Sequence, residues 1–147
     1  MDSPTARLTL PAHVESVRVF HDFVRAGAQA AGLDSMDMDK LELVLEEILV
    51  NVARYAYEGE AGEVAVAYAA NGDTLLVEIT DWGRSFNPLE AAAPDLTLGL
   101  ADRPVGGLGL LLVKQMVGSL GYRRKEGQNI VSFRFPGPGP APQDGLY

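Results

Sequence analysis

No cysteine occurs anywhere in the chain, which excludes a disulfide framework and every thiolate metal site. Histidine is almost as scarce. The only two, His13 and His21, stand eight residues apart with no further His or Cys beside them, which falls short of a transition-metal ligand set. Long apolar runs are missing too: nothing approaches the ~20 residues needed to cross a bilayer. The opening Met1-Asp2-Ser3-Pro4 lacks the basic segment and apolar stretch of a secretory leader. A soluble, cytoplasmic protein without a membrane partner is expected. Positive charge is also short, with 12 Lys and Arg against 20 Asp and Glu and a net charge of -8. At a pI of about 4.6 the surface repels a phosphate backbone, so direct nucleic-acid binding is not expected. The one compact basic cluster, Arg123-Arg124-Lys125, lies beside a turn and reads as a solvated strand end.

What the chain does have is apolar mass. With 147 residues, 47% of them hydrophobic, it can build a single core and one domain. Residues 5–10 alternate as a short strand ended by Pro11. Val14, Val17, Phe20, Val24 and Ala28 then recur at helical spacing over 13–31, and Gly32 closes that helix. Asp37 or Asp39 can cap a second helix over 38–57, with the stripe Leu41, Val44, Leu45, Ile48, Val52 and Ala56. Residues 63–68 and 75–80 alternate around Asn71-Gly72-Asp73 and predict a hairpin. Residues 84–106 carry Pro88, Pro94 and Pro104 without periodicity and read as a long lid. An apolar helix over 107–120 and a hairpin of 122–125 with 130–135, turning at 126–129, complete a domain over 1–135. Residues 136–147, rich in Pro and Gly, form a flexible tail. Helices and hairpins segregate, which predicts an α+β two-layer sandwich of helices on a mixed, mostly antiparallel sheet.

Three stretches carry candidate chemistry. On an ideal helix each residue advances by about 100°, so Glu47 and Asn51 lie within about 40° of each other while Glu46 falls about 140° from Asn51. A carboxylate at Glu47 can serve as a base, and the amide oxygen of Asn51 suits a hard cation. Taken alone, the two are also what an ordinary surface pair looks like. Asp81-Trp82-Gly83 ends the second hairpin strand with an acid that can face an amine, followed by a glycine that admits close approach. Asp and Gly also simply end strands, and Trp82 suits either a pocket wall or a cap on the core. Gly107-Leu108-Gly109 opens an apolar helix, where free backbone N–H groups and the helix dipole favour phosphate. It is neither a Walker A motif nor a dinucleotide fingerprint, since Leu112 stands where the latter has its third glycine.

In order, these elements are Glu-x-x-x-Asn on a helix, Asp-x-Gly about thirty residues later, a proline-containing lid, and Gly-x-Gly at a helix start. The arrangement resembles the GHKL (Bergerat-fold) ATPase superfamily over roughly residues 38–135. The sequence Glu47-Ile48-Leu49-Val50-Asn51 with Tyr57 nearby looks most like the bacterial anti-sigma factor serine/threonine kinases. The resemblance implies ATP and Mg²⁺ as cofactors. It makes Glu47 the catalytic base, Asn51 the Mg²⁺ ligand and Asp81 the acceptor of the adenine amino group. Gly83 would shape the adenine pocket, while Gly107, Gly109 and Arg103 would meet the phosphates. It further implies a homodimer that phosphorylates a STAS-type anti-sigma-factor antagonist and sequesters a sigma factor. A nucleotide-responsive binding module without kinase activity is the alternative. The pattern departs from the family at Tyr55, where many relatives carry His, and at Asn87, where an acid is common.

Overall fold

The computed structural model describes residues 6–89 and 109–137, and for 109–112 the backbone alone. The elements follow one another as β1 (Ala6–Pro11), α1 (Ser16–Ala30), α2 (Ser35–Tyr55), β2 (Glu63–Asn71), β3 (Thr74–Asp81), α3 (Gly109–Met116), β4 (Gly118–Lys125) and β5 (Gln128–Phe135). Five strands form one sheet in the order β1-β2-β3-β5-β4. All four pairings are antiparallel, so the sheet expected to be mixed has no parallel pair among the described strands.

The helices cover one face of this sheet. Val17, Phe20, Val24 and Ala28 of α1 and Leu41, Val44, Leu45, Ile48 and Val52 of α2 are buried against Val64, Val66, Leu75, Val77 and Ile79. At about 25 cal/mol per Å² of apolar surface removed from water, this continuous seam dominates the stability of the layer pair. The second helix starts earlier than the periodicity predicts, and neither Asp37 nor Asp39 caps it. Its cap is Asp34, whose side chain accepts the Asp37 N–H over 2.8 Å. Gly32, at φ +73°, separates the two helices. Pro11 closes β1 at the sheet edge, where its missing N–H breaks no ladder.

The last helix ends before its predicted boundary. Leu120 continues the helical spacing, but Gly118 and Ser119, the latter at φ +53°, stop α3 at Met116, and the chain enters β4 through a register shift between Gly118 and Gly121. The β4–β5 loop is the two residues Glu126 and Gly127, both at positive φ, the geometry that matches hairpin twist. Among the described residues no helix is long and apolar enough to cross a membrane.

This architecture brings the two polar stretches to one place. Strand alternation puts Asp81 in line with Ile79 and Val77, on the face that the helices cover. Asp81 pairs in register with Val64 on one side and Asn129 on the other, and Asn129 in turn opposes Arg124. The row Val64, Asp81, Asn129, Arg124 thus lies at one end of the sheet, beneath the helix layer.

Candidate functional site

Asn51 sits in the buried stripe of α2, fully shielded, alongside Ile48 and Val52. Its amide nitrogen donates to the carbonyl of Pro88 over 3.1 Å. Its Oδ1 has no hydrogen-bond partner among the described residues, and neither has the buried Oε2 of Glu47, one turn earlier. Leaving such an atom unpaired costs about 1–3 kcal/mol, so folds rarely keep two side by side without a use. The i,i+4 spacing explains why they share a face; the burial was not visible in the spacing.

Glu47 is held above the ordinary carboxylate range. Removal from water is the main cause, the charge of Glu46 adds to it, and Arg54 opposes. Asp81, nearly fully buried where Glu47 is only partly so, is likewise raised by burial, while the bonds from Asn129 and Gly83 and the charge of Arg124 pull it back. Both of those bonds reach the same oxygen: Gly83 N–H donates to Oδ1 over 2.9 Å and Asn129 Nδ2 over 2.8 Å. Among the described residues Oδ2 accepts no hydrogen bond, which leaves it as the free acceptor of the pair.

The glycine after Asp81 has a structural reason of its own. A Cβ at Gly83 would lie 2.2 Å from the carbonyl oxygen of Ala56, at the end of α2. Arg84 reinforces the same seam, donating from N–H to Ala56 O over 2.9 Å and from Nε to Tyr55 O over 2.9 Å, with Glu58 3.0 Å away. So Gly83 lets the end of β3 press against α2, and that side of the residue is filled by protein. Trp82 does not cap the core; 41% of it is exposed, beside a cleft of about 320 Å³ shared with Tyr57 and Glu60. A larger cleft of about 530 Å³, with Pro11, His13, Arg54 and Gly62 in its walls, contains none of Glu47, Asn51 or Asp81.

The beginning of the lid is anchored rather than loose. Phe86 N–H donates to Asn129 Oδ1 over 3.2 Å, its ring lies 5.8 Å from that of Tyr55, and the Arg84 guanidinium stacks over it at 5.3 Å. Asn87 accepts the Leu89 N–H over 2.9 Å. Arg103 and Gly107 lie outside the described residues. Gly109 is the first residue of α3, so the N–H groups of that first turn have no intrahelical acceptor.

Sequence reasoning placed 126–129 in a turn and missed Asn129 altogether. It is buried as the second residue of β5 and makes bonds to Asp81, Arg84, Phe86, Tyr122 and Arg124. Only the strand pairing, Asp81 opposite Asn129, could have revealed it. Arg124 is exposed at the end of β4, as expected of a solvated strand end, and in addition donates to Gly83 O over 2.9 Å and Asn129 Oδ1 over 3.1 Å. Its neighbour Arg123 reaches Glu78 across the sheet at 3.6 Å.

The polar end of β3 and β5 and the two unpaired oxygens of α2, whose own end packs on Gly83, offer acceptors suited to an amine and to a hard cation. Comparison with known proteins gives a family and several relatives. The sequence model of the histidine kinase-like ATPase domain matches residues 10–135. Serine-protein kinase RsbW of Bacillus mycoides is 23% identical over 132 residues, covering 87% of this chain and 82% of its own length. Serine-protein kinase RsbW of Bacillus cereus is 24% identical over the same span and coverage.

Proposed function

We infer that this chain, which belongs to the histidine kinase-like ATPase domain family, is an ATP-dependent protein serine/threonine kinase acting on a STAS-type anti-sigma-factor antagonist and sequestering a sigma factor. ATP binding follows from the family. The observation that carries the kinase chemistry is the pair of buried, unpartnered oxygens one helical turn apart, Asn51 Oδ1 and Glu47 Oε2, while the partners rest on the family resemblance.

Mg²⁺ fits the residues present. The Asn51 oxygen is hard, neutral and without a partner, as this cation prefers. Among the described residues no group of three His, Cys, Asp or Glu could enclose a metal, so the protein would supply few ligands and phosphates and water the remainder. The ion would neutralise phosphate charge. Asp81 Oδ2 accepts the adenine amino group, with Gly83 keeping the end of β3 seated on α2. The N–H groups at Gly107 and Gly109, with Arg103, meet the phosphates. Glu47 accepts the proton of a Ser or Thr hydroxyl as its oxygen bonds to the γ-phosphorus and the bond to the β-phosphate oxygen breaks, releasing ADP. The raised pKa of Glu47 suits this role, because a base poised nearer neutrality transfers protons more readily. The kinase acts as a cytoplasmic homodimer, and the name of the relatives supports the serine kinase part of the reading.

Calorimetry with ATP, with and without Mg²⁺, followed by transfer of labelled γ-phosphate to a co-encoded STAS-type protein, tests the proposal. Absence of nucleotide binding by the folded protein ends it. Binding of nucleotide and partner without transfer of label makes the chain a nucleotide-responsive binding module instead.

A further inference from the structure

We infer that Asn129 is a positioning residue for base recognition: by occupying Asp81 Oδ1 it leaves Oδ2 as the single acceptor offered to a nucleobase, and so sets the preference for an exocyclic amine. This rests on the reading of Asp81 as the adenine contact.

The orientation of the Asn129 amide is over-determined. Its Nδ2 has two hydrogens and two acceptors, Asp81 Oδ1 at 2.8 Å and Arg84 O at 2.7 Å. Its Oδ1 takes three donors, Tyr122 O–H at 2.7 Å, Arg124 Nη1 at 3.1 Å and Phe86 N–H at 3.2 Å. Turning the amide over would set an oxygen against two acceptors and an NH₂ against three donors, so one arrangement alone is satisfied. The carboxylate of Asp81 inherits that certainty. Gly83 N–H and Asn129 Nδ2 both pin Oδ1, which fixes the plane of the group and leaves the other oxygen free. A freely rotating carboxylate would present either oxygen; this one presents Oδ2. The same amide holds Arg84 and Phe86, so the base-reading group and the first residues of the lid are fixed by one side chain.

The ionisable groups around it are Asp81 on β3, Arg84 just after it, and Tyr122 and Arg124 on β4. Asn129→Asp is nearly isosteric and keeps the acceptor for Tyr122, Arg124 and Phe86. It replaces the donor to Asp81 with a second carboxylate, and two such groups in contact share a proton only when the pH is low enough. The expected result is ATP affinity at least tenfold weaker than wild type at pH 8, with reduced preference over GTP, recovering at least tenfold towards pH 5.5. Wild type should show no such recovery, and a residue that only held the lid in place would give none. Wild-type affinity, preference and pH profile in a folded Asn129→Asp protein overturn the inference. Should that variant fail to fold, Tyr122→Phe decides. Loss of one donor to the amide should weaken ATP two- to fivefold while tripolyphosphate binding stays unchanged, and unaltered ATP binding overturns the inference. Failure of wild type to bind ATP would instead remove the functional reading and this inference with it.

Discussion

The Asn129 amide donates to the Asp81 carboxylate over 2.8 Å from a position 48 residues further along the chain. That bond joins β3 to β5 at the end of the sheet where Gly83 meets the end of α2, and it orients an acid that is nearly fully buried yet keeps one oxygen free to accept among the described residues. The polar end of the site is therefore built by strand pairing, and the apolar wall opposite it by the periodicity of α2. Predictions can be drawn for each part.

Asn51→Ala separates function from stability. The substitution removes an unpaired buried oxygen, a gain of about 1–3 kcal/mol, but it also breaks the bond to Pro88 O and leaves a small void of similar cost. The melting temperature should move by no more than a few degrees. The Mg²⁺-dependent part of ATP affinity should vanish, so that isotherms with Mg²⁺ and with EDTA superimpose. Persistent Mg²⁺ enhancement in the variant would remove Asn51 from the metal site.

For Glu47 the pH dependence has a definite sign. The folded group binds its proton more tightly than the unfolded one, whose ordinary value is 4.5. Its stabilising contribution is complete below that value and is lost as the pH rises through the higher folded one. Phosphoryl transfer runs the other way, because the base must be ionised: the rate should climb with pH through a midpoint above 4.5. Glu47→Gln should keep ATP binding, lower transfer by roughly 10²–10⁴, and melt no lower than wild type at pH 7. Single-turnover assays with labelled ATP and thermal melts measure both halves.

Much of this site was legible in the sequence. The stripe Leu41, Val44, Leu45, Ile48 and Val52 fixed the inner face of α2, and with it the placement of Glu47 and Asn51. Asp81 was expected to end the second hairpin strand, as it does, but that its side chain faces the core is visible only in the structure. What escaped notice depended on non-local partners. Asn129 looked like a turn residue because it follows Glu126 and Gly127 so closely in the chain; the β3–β5 register overrides that expectation. Leu120 was lost to the helix for the opposite reason. Its apolar spacing was real, but a helix cannot pass Gly118 and a left-handed Ser119.

Gly83→Ala should destabilise through backbone crowding alone. The added carbon meets Ala56 O at 2.2 Å and Ala56 C at 2.7 Å, neither of which is the flexible end of a side chain. Moving the end of β3 away from α2 would also stretch the Arg84 bonds to Ala56 and Tyr55. A cost of about 2–3 kcal/mol is expected, a fall of roughly 6–10 °C in melting temperature for a domain of this size. Gly72→Ala, where nothing lies within 4 Å but φ is +63°, should cost only about 1 kcal/mol. Equal effects of the two variants in a thermal melt would contradict the crowding account.

Asp81→Asn tests the base contact by reversing it. The new side chain can keep its oxygen towards Asn129 Nδ2 and Gly83 N–H, since both are donors and lie 2.8 and 2.9 Å from Oδ1 of the wild-type carboxylate. Its NH₂ must then take the place of Oδ2. Where wild type offers an acceptor to a nucleobase, the variant offers a donor. Adenine presents an amino group to that position and guanine or hypoxanthine a carbonyl, so one partner loses its hydrogen bond and meets a second donor while the other gains a match. A mismatch and a match of about 1.4 kcal/mol each would change the ATP-to-GTP preference by about a hundredfold. Removing a buried, partly desolvated carboxylate should at the same time raise the melting temperature at pH 7, because burial already disfavours its charge. Competition calorimetry with ATP, GTP and ITP reads the first effect and a thermal melt the second. A variant that melts higher but keeps the wild-type order of nucleotides would show that Asp81 supports the sheet without reading the base.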